Sequence, residues 1–427
     1  MTQNTPSSRR FRRTALPLAA AAVLAGAVSA CSVSAGSATT TSAQHRAVQA
    51  RQLDRLAQDD VNAGAPGVIV RVTNGSGPPI QIARQAAFTG AAHTLTAEDQ
   101  FRMGSNTKTM VATLVLQLVA EHRVSLSDPI STYLPGTIPN GQAITVRMLL
   151  NHTSGLFNYV NDPAVLVSFA GQNDRQWTPQ ELLAAGVSHP PLFRPGKEYS
   201  YSNTNYVALG LLLQKVTGQS LADLIQERIA RPLGLKNTYL DTSTPAAARI
   251  MLAHGYEPDA AWIAPLLPPG TPPGSTFAGP RSGAFVDTTW INSSTEWAAG
   301  GVVSTAADWS RFLSALMSGR LLPAAQLKEM ETTVSEGPST KNRYGLGLER
   351  IVTPCGAVWG HVGQVPGYSS EEYTNGTGTR TASVFTSTIF GLVVPKTHAA
   401  DQALQDAAVC VMLGKPVPAS SSATPAS

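Results

Sequence analysis

Ser105 and Lys108 stand three residues apart in Phe-Arg-Met-Gly-Ser-Asn-Thr-Lys, residues 101–108, ahead of an apolar run that reaches Val119. Met110, Leu114 and Leu118, with Val111 and Val115 beside them, recur at helical period, so the hydroxyl sits near the first turn of a buried helix with the amine on its face. A serine hydroxyl is a weak nucleophile until a base is held against it. An amine one turn on, its charge disfavoured by burial, can be that base or can depress the pKa of one. The free N–H groups of a helix start favour negative charge developing at the reacting centre. Taken alone, the pair also describes a cap serine followed by a surface lysine.

Two further stretches fit the same chemistry. Tyr-Ser-Tyr-Ser-Asn, residues 199–203, follows an Arg-Pro-Gly turn at 194–196 and precedes a helix, which puts Tyr201 and Asn203 on a loop able to face Ser105. Trp-Gly-His-Val-Gly, residues 359–363, reads as a strand with small residues around His361, where a backbone can approach a ligand closely. Each is weak singly: Tyr201 alone reads as packing and His361 as a surface strand residue.

The elements that must position these groups alternate in type along the chain. Helical spacing covers 47–61, the run after Ser105, a short stretch at 144–155 that ends on glycine, 177–192, 205–235, 306–317, 324–330 and 399–413. Strand patterns at 68–72 and 80–84 flank a Gly- and Pro-containing turn, and four more lie at 344–351, 357–361, 368–375 and 380–389. Strands at both ends with helices between imply an α/β (α+β) fold: one central antiparallel sheet assembled from the two chain ends, with flanking helices and an inserted, mostly α-helical region. From 249 to 289 the pattern dissolves into proline and glycine, which reads as a long surface excursion near the site.

Composition excludes some classes. Of 427 residues 43% are hydrophobic and 14% charged, as in an ordinary globular protein. The net charge of +4 is scattered apart from Arg9, Arg10, Arg12 and Arg13, with no basic stripe interleaved with aromatics, so no nucleic-acid partner is expected. The eight histidines show no ligand spacing, so no metal and no cofactor is called for.

Residues 1–30 read as an export signal: the arginine cluster, then an apolar run from Ala15 to Val28 that is short for a membrane span. The run closes on Val-Ser-Ala-Cys31, which resembles a bacterial lipobox with Cys31 as the lipidated residue; a plain Ala-x-Ala-type cleavage is the alternative, and the paired arginines leave twin-arginine export open. The expectation is a lipoprotein anchored to the outer face of the cell membrane, or a secreted protein. Ser- and Thr-rich residues 31–45 read as a flexible tether, 46–414 as the folded domain and 415–427 as a disordered tail. In an exported protein Cys355 and Cys410, 55 residues apart, are expected to pair. Two separately buried thiols are the alternative, and a closed loop of that length would stabilise by roughly 4 kcal/mol.

The three stretches together, in this order, resemble the penicillin-recognising serine hydrolases, closest to secreted D-alanyl-D-alanine carboxypeptidases and class C β-lactamases. The likeness spans nearly all of 46–414 and includes Leu-Leu-Asn-His-Thr-Ser-Gly at 149–155, Leu-Ser-Ala-Leu-Met-Ser-Gly at 313–319 and Tyr-Gly-Leu-Gly-Leu at 344–348. It implies a β-lactamase/transpeptidase-like fold with a disulfide at Cys355 and Cys410. It further implies that Ser105 forms an acyl-enzyme. Lys108 would hold Tyr201 partly ionised as the proton carrier, and Asn203 would bind the substrate amide and Lys108. His361 and Gly363 would line the third side, and the N–H groups of Ser105 and Gln364 would form the oxyanion hole. Two positions depart from the family. Val362 replaces a hydroxyl, and Glu349 replaces an arginine, that together grip a substrate carboxylate; a one-residue slip would put Arg350 there instead. The implied partners are peptidoglycan stem peptides and β-lactams, with carboxypeptidase activity the leading expectation. Alternatives are a β-lactamase, an esterase or amidase for substrates without a free carboxylate, or a catalytically silent cell-wall sensor.

Overall fold

The computed structural model describes residues 32–75, 77–241, 251–259, 276–389 and 394–417. The expected export signal at 1–30, Cys31, the Pro-Pro-Gly runs at 266–274 and residues beyond 417 lie outside the described residues. The chain forms two compact units, 1–48 and 49–427; the second carries the sheets, the cores and the site. No helix among the described residues is long and apolar enough to cross a membrane.

The central sheet has eight antiparallel strands, in the spatial order Ile80–Gln85, Gly67–Thr73, Thr381–Thr386, Tyr368–Thr374, Gly356–Val365, Glu349–Thr353, Arg343–Tyr344 and Val334–Ser335. Period-two alternation sets its two faces. Val68, Val70 and Val72 pack with Leu53, Ala57, Leu404, Ala408 and Met412, which come from the terminal helices Ser32–Ala63 and Pro395–Leu413. Ile69 and Phe385 point the other way, into the larger core built on the helices Thr107–Ala120 and Asn203–Thr217. Burying each such aliphatic or aromatic side chain contributes about 1.5–3 kcal/mol. The expected sheet from both chain ends is therefore present, and Cys355 and Cys410 pair across it and the last helix.

Several sequence-based expectations give way to tertiary context. Residues 32–44 are helical rather than a coil, because a helix already nucleated downstream propagates at little cost through Ala, Ser and Thr. The stretch 205–235 is broken by Gly218 in the left-handed region at φ 74°, after which Ser220 caps a new helix, Leu221–Ile225. The short helix Val146–Leu150 stops five residues before Gly155, and His152 takes φ 60° instead, held there by the loop it supports. Within the described part of the excursion, Tyr256–Pro258, Phe285–Asp287 and Arg281–Ser282 form a small sheet, with Phe88 stacked on Phe285 at 5.1 Å. The strand pattern 344–351 is two strands joined by a turn. Gly347 at φ 71° lets that turn lie against Ala112 and Tyr206, where a Cβ would come within 2.5 and 2.7 Å.

Candidate active site

Ser105 lies in a 3-10 turn, Gly104–Asn106, that feeds the helix Thr107–Ala120. The turn is pinned to the sheet. Asn106 donates from Nδ2 to the carbonyl and the hydroxyl of Ser370, both at 2.9 Å, and the Ser370 hydroxyl donates to the Met103 carbonyl at 2.9 Å. Strand Gly356–Val365 runs directly over it. A Cβ on Gly104, which has φ 50°, would stand 2.5 Å from the Gln364 nitrogen, and one on Gly363 would stand 1.9 Å from the Met103 carbonyl oxygen. Glycine is required at both positions so that two backbones can touch. Gly363 thus lets the strand lie directly on the nucleophile turn.

Lys108 is fully buried, with Nζ 2.8 Å from Ser105 Oγ, 2.7 Å from Asn203 Oδ1 and 2.7 Å from the Ala299 carbonyl oxygen. Two carbonyl-type acceptors can take two N–H bonds, which leaves the third direction for the serine hydroxyl. Tyr201, on the loop before the helix Asn203–Thr217, lines the same cavity as Ser105, and the Lys108 nitrogen lies 4.8 Å from its ring centre. Asn203 is the first helical residue, not part of the loop. The predicted Ser105, Lys108, Tyr201 and Asn203 thus converge.

The charge states differ from the expected ones. Burial pushes the Lys108 amine well below its ordinary range, against a smaller upward pull from Glu349. Burial pushes the Tyr201 phenol well above its ordinary range, with the Ser105 contact lowering it less. A cationic Lys108 holding Tyr201 as phenolate is therefore disfavoured on both sides. The neutral amine is therefore the base form present beside the hydroxyl.

His361 is buried in the strand. Its Nδ1 donates to the Val362 carbonyl at 2.7 Å and its Nε2 accepts from the Tyr344 hydroxyl at 2.8 Å, which defines a neutral ring. Burial and the nearby Lys108 lower its pKa to about 3. Glu349 pairs in register with Gly360 and lines the cavity, 3.6 Å from His361 Nε2, while Arg350 pairs with Trp359 on the opposite face. The register thus settles the position in favour of Glu349.

Sequence reasoning missed three supports. The Ala299 carbonyl carries no side-chain signal. His152 accepts from the Ser202 N–H at 3.1 Å and from Asn205 Nδ2 at 3.0 Å, and its ring lies 4.3 Å from that of Tyr201, so it seats the tyrosine loop. Tyr344 fixes the His361 tautomer. The His152 and Tyr344 signals lay inside the motifs at 149–155 and 344–348, whose individual side chains had no assigned task.

These groups open on one cavity of about 360 Å³, lined by Ser105, Tyr201, Asn203, Glu349, His361 and Gln364 among others. A nucleophile, a buried amine, a phenol and strand amides beside a cavity of this size can carry acyl transfer. Residues 53–407 match the β-lactamase family. The putative penicillin-binding protein PbpX of Bacillus subtilis is 27% identical over 275 residues, 63% of this chain and 57% of that protein, so the match spans little more than half of that relative. Among solved structures, a D-stereospecific amidohydrolase from Streptomyces sp. is 32% identical with a TM-score of 0.68, covering 82% of this chain and 97% of that one. The D-amino acid amidase of Ochrobactrum anthropi SV3, solved with D-phenylalanine, is 27% identical with a TM-score of 0.72, covering 84% and 98%. With the fold, the site geometry and a family match over most of its length in agreement, the chain belongs to the β-lactamase family of serine acyl hydrolases.

Proposed function

We propose that this chain is an amidohydrolase that works through an acyl-serine and takes substrates lacking a free carboxylate. The observation that carries the reading is the wall formed by Val362 and Glu349, which offers a carboxylate neither a hydroxyl nor a cation. Similarity to a D-stereospecific amidohydrolase and a D-amino acid amidase supports D-configured amides.

In this reading Lys108 takes the Ser105 proton as Oγ attacks the carbonyl. The N–H groups of Ser105 and Gln364 stabilise the tetrahedral oxyanion. Tyr201, beside Ser105 in the cavity, gives its proton to the departing nitrogen and regains one from the Lys108 ammonium, so the net transfer is of the serine proton to the leaving group. Water then enters by the same path in reverse and frees the acid. The apolar N-terminal run ending at Cys31 supports an exported, lipid-anchored location.

The competing reading, a D-alanyl-D-alanine carboxypeptidase that β-lactams acylate, is favoured by the likeness to PbpX and opposed by Glu349. Initial rates on N-acetyl-D-alanine amide and N-acetyl-D-alanyl-D-alanine separate the two. Loss of a charged hydrogen bond to the terminal carboxylate, worth about 1.5–3 kcal/mol, predicts that the amide is hydrolysed at least about tenfold faster. Faster release of D-alanine from the dipeptide would reverse the assignment.

A further inference from the structure

Glu349 has no evident place in the chemistry, yet it stands in the cavity wall with its side chain 13% exposed. The only other acidic residue in that wall is Glu296, which Arg102 faces at 3.7 Å, backed by Arg102 contacts to the Thr289 and Ile291 carbonyls. No arginine or lysine lines the cavity among the described residues. His361, the basic ring nearest Glu349, has Nδ1 committed to the Val362 carbonyl and Nε2 to the Tyr344 hydroxyl, so it stays neutral and offers Glu349 no charge. Lys108, below the floor, spends its nitrogen on Ser105, Asn203 and Ala299. Glu336 adds a second carboxyl within electrostatic range of Glu349. Nearly buried carboxyls without a cationic partner are costly when ionised, which is why they are seldom placed in a binding cavity without a counter-charge arriving.

Resting on the amidohydrolase reading, we propose that Glu349 is a specificity residue that receives a cationic group of the substrate, a primary ammonium carried close to the scissile amide. The alternating strand register aims the carboxyl into the same cavity as Ser105 Oγ, and a bound ammonium supplies the missing counter-charge. Burial and then Glu336 raise the Glu349 pKa to about 8 against a downward pull from Lys108, so the carboxyl holds its own proton until a cationic partner displaces it. This arrangement also spares Lys108. An ionised, unpaired Glu349 would favour the ammonium form of the base, whereas a Glu349 engaged by substrate does so less.

The test compares D-alanine amide, which carries the ammonium, with N-acetyl-D-alanine amide, which does not, on wild type and Glu349→Gln. The expected result is a KM for D-alanine amide raised at least about tenfold by the substitution, and a kcat/KM ratio of D-alanine amide to the acetylated amide lowered by at least that factor. Glu349→Asp, which keeps the charge on a shorter arm, should recover part of the D-alanine amide KM. Two results would overturn the inference: equal losses for both amides, which would mean Glu349 acts through Lys108, or a wild type that prefers the acetylated amide. Hydrolysis of the acetylated amide in either case leaves the amidohydrolase reading standing. Hydrolysis of neither amide removes that reading and this inference with it.

Discussion

Replacing Lys108 with methionine should lower the acylation rate by about 10³-fold, the usual worth of a positioned base. Methionine keeps most of the buried volume and removes the nitrogen that now touches Ser105, Asn203 and the Ala299 carbonyl. The sign of the pH dependence follows from the burial of the amine. Its pKa in the fold lies well below the ordinary lysine value, so the base form accumulates and acylation rises as pH climbs through that lowered value, then levels. His361, titrating near 3, cannot produce that limb, and Glu349, raised to about 8, would bend the profile down rather than up as it ionises. Stopped-flow acylation by an activated ester from pH 5 to 9 reads both effects. A Lys108→Met protein that keeps the wild-type rate, or a limb that survives the substitution, would assign the base elsewhere.

Gly104→Ala should cost at least about 10² in acylation, because it displaces an oxyanion donor rather than a catalytic side chain. The new Cβ would meet the Gln364 nitrogen at 2.5 Å and the Gly363 carbonyl carbon at 2.9 Å, and both are backbone atoms of a central strand that cannot rotate away. The left-handed φ of 50° adds roughly 1–2 kcal/mol of strain for any residue with a Cβ. Thermal melting separates this from simple unfolding: a cooperative transition lowered by several degrees, with acylation nearly lost at 20 °C, is the expected pair of results. Near-normal acylation would mean that the Gln364 amide is not part of the reacting centre.

The two predictions differ in how far the sequence alone foretells them. The Ser-x-x-Lys spacing places hydroxyl and amine on one side of the turn that opens the helix, and the structure brings them to 2.8 Å. Apolar alternation at 68–72 likewise yields the sheet face that the terminal helices cover. The charge on Lys108 is another matter. It follows from the surrounding wall, a property of long-range packing that no local pattern encodes. Gly104 and Gly363 look like ordinary turn and strand glycines until the strand is laid over the turn. Glu349 and Arg350 exchange faces with a one-residue slip, so only the pairing of Glu349 with Gly360 decides which of them faces the cavity. The Ala299 carbonyl, a backbone group, has no signature at all.

An acyl-serine formed on the hydroxyl of residue 105 is the claim on which the mechanism stands, and intact-mass analysis tests it most directly. Wild type and Ser105→Ala would each be mixed with p-nitrophenyl acetate at pH 7 and quenched in acid after seconds. The mechanism predicts a single acetyl adduct on wild type, mapped to the peptide containing Ser105, and none on the alanine protein. An adduct of equal size on both proteins, or one mapped to another residue, would contradict it.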